Sequence, residues 1–285
     1  MTGAFTTCDP GDETELPGTD RGDREMTHVV SFSGGIGSWY TAKIVVEEIC
    51  HPNEVVVLLF ADTMIEDRDT YKFLDAGAAA LGLTVTRIAD GRTPWELFKE
   101  QRFLGNPRVD LCSRVLKREL LNKWIRDRYT PSNCVTYVGI DWTEVHRIER
   151  LQARSHPWVF RAPLCEPSWR DVTRNDMHKA AKDAGLPKQR LYEAGLPHAN
   201  CGGGCVKAGI SHFMRLYEVL PERFAEWERN EQDVADHLGK NVTILRDRRG
   251  GKSRPMSLAD LRKRIEGGDS SLPQHDWGGC GCAVE

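Results

Sequence analysis

The sequence predicts an α/β fold built on a mostly parallel sheet. Three observations carry that expectation. Apolar, β-branched runs alternate four times with segments of helical spacing. The second run, Glu-Val-Val-Val-Leu-Leu-Phe at 54–60, is continuously apolar, as expected of a strand buried on both faces. The first run, His28-Val29-Val30-Ser31-Phe32, feeds straight into Ser33-Gly34-Gly35-Ile36-Gly37-Ser38, a strand-to-helix turn rich in glycine.

The elements follow in order. Residues 1–26 are rich in Gly, Thr, Asp and Glu and poor in apolar side chains, and are read as a disordered acidic tail. A strand is expected over 28–32 and a helix over 39–50, stopped by His51-Pro52-Asn53. Strand 54–60 ends in Ala61-Asp62-Thr63. Helix 69–81 breaks at Gly82, and a third strand covers 83–89. Helix 93–100 has Pro94 at its first position. A loop at 101–110 leads to a long helix at 111–128, and a fourth strand covers 134–140.

Past Arg150 the pattern changes. Residues 155–171 contain Pro and Trp and read as irregular. A helix is expected over 171–184, ended by Gly185-Leu186-Pro187, and a glycine-cysteine loop over 199–204. Helices 207–220 and 222–237 flank Pro221. A short strand at 242–245, a basic loop at 246–254 and a helix at 258–266 complete the chain before Trp277-Gly278-Gly279-Cys280-Gly281-Cys282. The expected organisation is a tail at 1–26, a nucleotide-binding domain at 27–200 and a cysteine-containing helical extension at 201–285.

In parallel sheets ligands bind outside the carboxyl ends of the strands. Three polar clusters fall there: 33–38, Asp62-Thr63 and 139–144. They are expected to converge. In the glycine loop, missing Cβ atoms let backbone N–H groups close around an anion, and the following helix N-terminus favours negative charge. Ser33 and Ser38 add hydroxyls.

The 285 residues carry a formal net charge of −3, so no global basic field advertises nucleic acid. No apolar run reaches the ~20 residues of a membrane-spanning helix, and the start shows no signal-peptide pattern. A cytoplasmic location is expected. Nine cysteines, an odd number in a long chain, do not look like a secreted disulfide framework. Cys50, Cys134 and Cys165 are isolated and read as incidental thiols. Cys201-Gly-Gly-Gly-Cys205 and Cys280-Gly-Cys282 are pairs whose glycines let both thiols face one centre. Cys112 opens a helix carrying Arg114, Lys117 and Arg118, a cationic setting that favours thiolate. Four such thiolates suit a structural Zn²⁺ or a [4Fe–4S] cluster, and spacing does not choose between them.

These motifs resemble the adenosine 5′-phosphosulfate (APS) and 3′-phosphoadenosine 5′-phosphosulfate (PAPS) reductase family, within the PP-loop, adenine nucleotide alpha hydrolase-like superfamily. The likeness covers roughly residues 28–210. Ser33-Gly34-Gly35-Ile36-Gly37-Ser38 looks like the PP-loop Ser-Gly-Gly-x-Asp-Ser, with Gly37 in place of aspartate. Phe60-Ala61-Asp62-Thr63 and Cys112-Ser113-Arg114 with Lys117 resemble further family segments. Gly139-Ile140-Asp141-Trp142-Thr143-Glu144 with Arg147 resembles the substrate loop, with Asp141 where arginine is usual. Pro163-Leu164, Trp169, Asp176 and Leu191-Tyr192-Glu193-Ala194-Gly195 follow the family order before a cysteine pair.

The resemblance implies a Rossmann-like nucleotide site on Ser31, Ser33, Gly34, Gly35, Gly37, Ser38, Asp62, Arg114, Lys117, Gly139, Glu144 and Arg147. It implies cluster ligands at Cys112, Cys201 and Cys205, completed by Cys280 or Cys282, the other tail cysteine serving as nucleophile. The implied cofactors are a [4Fe–4S] cluster, with Zn²⁺ as the alternative, and ATP or a related adenine nucleotide with Mg²⁺. The implied partners are a sulfonucleotide or adenine nucleotide substrate and a thiol or electron donor. No membrane partner is expected, and the assembly admits a homodimer. The leading activity is sulfonucleotide reduction. The alternative is an ATP-dependent sulfurtransferase thiolating tRNA or DNA, with residues 244–254 contacting phosphate. A third reading is a non-catalytic nucleotide-binding iron–sulfur protein.

Overall fold

A computed structural model describes residues 25–106 and 109–278. Five strands form one fully parallel sheet: β1 (Thr27–Ser31), β2 (Val55–Asp62), β3 (Val85–Ala89), β4 (Cys134–Tyr137) and β5 (Val159–Arg161). Their order is β3-β2-β1-β4-β5. The α/β class with a parallel sheet is therefore the one the sequence predicts. Register runs Ser31 against Leu59 on one side of β1 and Val30 against Tyr137 on the other. β1 is central, and the chain direction of sheet growth reverses between β1 and β4. That reversal opens a crevice at the carboxyl edge, the usual ligand position in such sheets.

The helices follow where the spacing places them, with local differences. α1 (Ile36–Ile44) begins three residues earlier than expected, because Gly35 takes an extended conformation and starts the helix inside the glycine loop. Its last turns widen into a π segment at Val45–Ile49. α2 (Arg68–Ala79) is capped by Asp67, and α3 (Pro94–Glu100) by a reciprocal Thr93–Glu96 capping box. The long fourth helical segment is a π stretch at Ser113–Glu119 followed by α4 (Leu120–Arg128).

β5 corrects the expectation of an irregular 155–171. It has three residues and pairs with β4 from Val135↔Val159 to Tyr137↔Arg161, too short for its alternation to stand out beside Pro157 and Trp158. Then follow α5 (Val145–Ser155, just before β5), α6 (Arg174–Asp183), α7 (Arg190–Glu193), α8 (Ile210–Val219), α9 (Pro221–Leu238) and α10 (Leu258–Glu266). The short strand expected at 242–245 falls at β6 (Leu245–Asp247), and the basic loop that follows is shorter than expected and connects it to an unexpected antiparallel partner, β7 (Arg254–Met256).

One face of the sheet packs Val30, Phe32, Leu58 and Phe60 against Trp39, Phe73 and Leu74 of α1 and α2. The other packs Val29 and Leu59 against Ile125 of α4. A separate large cluster joins Trp95, Phe98 and Leu116 to Cys201, Cys205, Phe213, Trp227 and Leu261, so the segment after 200 shares a core with α3 and the π stretch. The acidic tail at 1–24 and the tail cysteines Cys280 and Cys282 lie outside the described residues. Among the described residues, no helix is long and apolar enough to cross a membrane.

Candidate functional site

Two of the three polar clusters meet. Gly139, after β4, lies so close to the glycine loop that a Cβ there would stand 2.7 Å from Ser38 N. A Cβ on Gly37 would stand 3.2 Å from the Gly139 carbonyl oxygen. The two loops thus touch through backbone, and the position where the PP-loop pattern has aspartate points at a carbonyl here. Gly34 has φ +79° and would place a Cβ 2.6 Å from Thr70 Cγ2, so its glycine serves the turn and the contact with α2. Ser38 Oγ donates to Gly35 O at 2.8 Å and Ser33 Oγ to Ser38 Oγ at 3.3 Å, which fixes the loop's shape.

Between the loops lies a cavity of about 170 Å³. Of the residues expected to hold a nucleotide, Ser31, Ser33, Gly35, Gly37, Ser38, Lys117, Gly139, Glu144 and Arg147 line it. Leu59, Phe60 and Ala61 supply an apolar wall. Arg147 is buried and its Nη1 donates to Glu144 Oε1 at 2.6 Å, while its Nε has no hydrogen-bond partner among the described residues. Asp141 spends its Oδ1 on the Thr143 N–H at 3.0 Å, capping the turn before α5.

Three expected residues stand elsewhere. Gly34 faces α2. Asp62 is turned away from the cavity: its Oδ1 accepts the Met64 N–H at 2.7 Å and the Tyr71 hydroxyl at 2.8 Å. Burial, and then the bond to Asp62, push the Tyr71 pKa up. Arg114 is exposed, with Glu119 3.9 Å away, and lines neither this cavity nor the one below.

A second, smaller cavity adjoins. Cys112, Cys201 and Cys205 all line it, with Thr63, Ser113, Lys117 and Trp227. Cys112 comes from the start of the π stretch, Cys201 and Cys205 from the glycine loop before α8. Cys201 has φ +55° and Gly202 φ +62°, a left-handed pair that turns the loop back sharply. Gly204 accommodates Trp227, which would meet a Cβ at 2.1 Å. The donor set fits a thiophilic metal group: three sulfurs from two segments around one space. The side chains leave about 10 Å³ of that space open.

Lys117 belongs to both cavities. Its Nζ lies 3.3 Å from Glu66 Oε1 and 3.9 Å from Cys201 Sγ. Glu66 is fully buried, accepts Thr63 Oγ1–H at 3.1 Å, and accepts the Cys201 N–H on its other oxygen. Sequence reading missed Glu66, because one acid after a strand end carries no pattern of its own. It also missed Arg174, His198 and Asn200, which complete the first cavity. The last two stand just before Cys201, and that adjacency was the available signal. Behind the loop, His212 is fully buried with Nε2 2.6 Å from Gly203 O. Burial lowers its pKa, so the neutral ring donates to that carbonyl.

The strap at the end of the described chain returns to this loop. Gly278 bridges Ala208, and Gly209 N donates to Trp277 O at 3.1 Å. The isolated thiols Cys134 and Cys165 are each pushed up to about 11 by desolvation.

No family model matches the chain, and no curated protein matches it. Among solved structures, it is similar to a phosphoadenylyl-sulfate (PAPS) reductase from Candida auris in its phosphate complex. Identity is 16% over 61% of this chain and 80% of that one, with TM-score 0.40. It is also similar to the U34-tRNA thiolase NcsA from Methanococcus maripaludis with its [4Fe-4S] cluster. Identity there is 16% over 76% of this chain and 71% of that one, with TM-score 0.44. Identity this low leaves the chemistry to be read from this chain's own residues.

In the hairpin, Arg249 is paired with Asp247 at 2.9 Å from its Nε, and Arg264 reaches the same carboxylate at 3.1 Å. Arg246 Nε donates to Ser253 Oγ at 2.8 Å. Two of the cations expected to contact phosphate over 244–254 are thus committed within the protein.

Proposed function

We propose that the chain is an adenine-nucleotide-binding enzyme of sulfur chemistry, resembling sulfonucleotide reductases, in which a nucleotide cavity and a thiol cavity share one lysine. The observation that carries this reading is Lys117, which lines both cavities with Nζ 3.9 Å from Cys201 Sγ. An ammonium in that position stabilises negative charge on either side: on a phosphate or sulfate in the first cavity and on thiolate in the second.

The backbone N–H groups at the start of α1, with Ser33 and Ser38, take the nucleotide's anion. Lys117, Arg147 and Arg174 balance its charge against Asp141 and Glu144, which line the same cavity. Cys112, Cys201 and Cys205 would hold an iron–sulfur cluster, completed by a tail cysteine; such a cluster supplies electrostatic tuning or electron transfer when bound. The Gly278–Ala208 bridge returns the chain two residues before Cys280 to a point three residues beyond Cys205. This supports a tail cysteine acting at the thiol cavity.

The remaining tail thiolate attacks the sulfur of a sulfonucleotide. An S–S bond forms, the S–O bond to the nucleotide breaks, and the nucleotide leaves with the electron pair, as AMP from APS or as adenosine 3′,5′-bisphosphate from PAPS. A thiol reductant then attacks the cysteine sulfur, forming a disulfide and releasing sulfite. The experiment is sulfite release by anaerobically purified protein given APS or PAPS and a dithiol. Sulfite from either supports the reading. No sulfite, with pyrophosphate or AMP release from ATP that rises with added tRNA or DNA, replaces it with ATP-dependent thiolation.

A further inference from the structure

At the opposite edge of the sheet, where β1 and β2 begin, His28, Cys50 and Glu54 come together. One donor atom from each lies within 4.8 Å of the other two. His28 is the second residue of β1 and is buried; Cys50 closes the π segment after α1; Glu54 precedes β2. The trio therefore ties three consecutive elements at one corner. Neither the nucleotide cavity nor the thiol cavity uses it.

We propose that His28, Cys50 and Glu54 form a binding site for a divalent metal ion of the zinc type. The donor set is one imidazole, one thiolate and one carboxylate, which suits Zn²⁺ with water as a fourth ligand. The second sphere is present as well. His28 Nδ1 lies 2.9 Å from the Tyr137 hydroxyl, which leaves Nε2 facing Glu54, 2.9 Å from its Oε2. A ligating histidine whose other nitrogen is held by a fixed partner is the usual arrangement at such centres. Glu54 is oriented in turn by the His51 N–H at 2.8 Å. Cys50 Sγ lies among the carbonyls of His51 and Glu54, at 3.5 and 3.6 Å, and remains partly accessible, which gives an ion a way in.

Without metal, the same groups close as a His28–Glu54 hydrogen bond with a protonated thiol beside it. On binding, Cys50 releases its proton to solvent. The Nε2 proton that bonded Glu54 is given to solvent and Nδ1 takes one up, so the neutral imidazole binds through Nε2 and donates from Nδ1 to the Tyr137 oxygen. No oxidation or reduction takes place.

The test is zinc titration of the full chain against a chromophoric chelator, with alkylation of Cys50 followed by peptide mass mapping. Cys50→Ser is the main variant, since the position is only half-buried and serine preserves its size. The wild-type chain is expected to take up one equivalent more than Cys50→Ser, and zinc is expected to protect Cys50 from alkylation. Glu54→Gln should remove that protection. Tyr137→Phe, which keeps the ring and loses only the outer hydrogen bond, should weaken the equivalent about 10-fold. Equal zinc uptake by wild type and Cys50→Ser, or alkylation of Cys50 at the same rate with and without zinc, overturns the proposal. Mapping alkylation to Cys50 separates this outcome from anything that happens at Cys112, Cys201 and Cys205.

Discussion

Glu66 and Lys117 form a buried ion pair, 3.3 Å from Oε1 to Nζ, between the nucleotide cavity and the thiol cavity. The carboxylate also holds the backbone N–H of Cys201, so one acid positions both the shared cation and the cysteine loop. Removing one partner of a buried pair leaves the other charge uncompensated, which costs about 3–5 kcal/mol. Glu66→Ala is therefore expected to lower unfolding free energy by roughly that amount in urea titration. Glu66→Gln, which can still accept the Cys201 N–H, should lose less. Equal stability of Glu66→Ala and wild type would remove the pair from the account.

The contact between the glycine loop and Gly139 leads to a second expectation. A methyl at 139 would fall 2.7 Å from Ser38 N, backbone that cannot step aside cheaply, whereas one at 37 would fall 3.2 Å from a carbonyl oxygen. Gly139→Ala should cost about 1–3 kcal/mol of stability, as overpacking does, and should abolish calorimetric binding of adenine nucleotides. Gly37→Ala should do markedly less on both counts. The reverse ranking would mean that the two loops are not packed as described.

Glu231 predicts a pH dependence. It is buried on α9, accepts N–H bonds from Ile244 at 2.7 Å and Leu258 at 2.6 Å, and its pKa is pushed up to about 7 by desolvation. In the unfolded chain it titrates near 4.5. Between these values the folded state binds the extra proton, so this group makes stability fall as pH rises from about 4.5 to about 7. The slope from one such group is at most ~1.4 kcal/mol per pH unit. Glu231→Gln cannot ionise, and its stability curve should be flatter across that window. A variant curve parallel to wild type would contradict the assignment.

The three-cysteine cavity makes a compositional prediction. Anaerobic preparation should give brown protein with about four irons per chain, as a thiolate-bound [4Fe–4S] centre requires. Cys205→Ser should lower the iron content, and Cys165→Ser, which lines neither cavity, should leave it unchanged. Colourless protein that carries zinc, one equivalent of which is lost in Cys205→Ser, would reassign the group.

Much of the scaffold is legible in the sequence because the four longer strands and several helices carry local signals: the apolar run before Asp62, Pro94 at the start of α3, the stop at Gly82. The approach of 33–38 to 139–144 was legible too, because both follow adjacent strands of a parallel sheet. Asp62 was not, since the last residue of a strand points to one side or the other according to register, and here it points to Tyr71. Glu66 and β5 were hidden for a related reason. Their roles depend on partners about 135 and 24 residues away in sequence, Cys201 for one and Val135 for the other, and no local pattern encodes such pairings.

The proposed reaction joins a sulfonucleotide to a tail thiol. The most direct measurement is intact-protein and peptide mass spectrometry after anaerobic incubation with APS or PAPS and no reductant. One added SO₃ on the peptide containing Cys280 or Cys282, lost on addition of dithiol together with release of sulfite, is the predicted result. An unmodified tail in protein that demonstrably binds the nucleotide would contradict it.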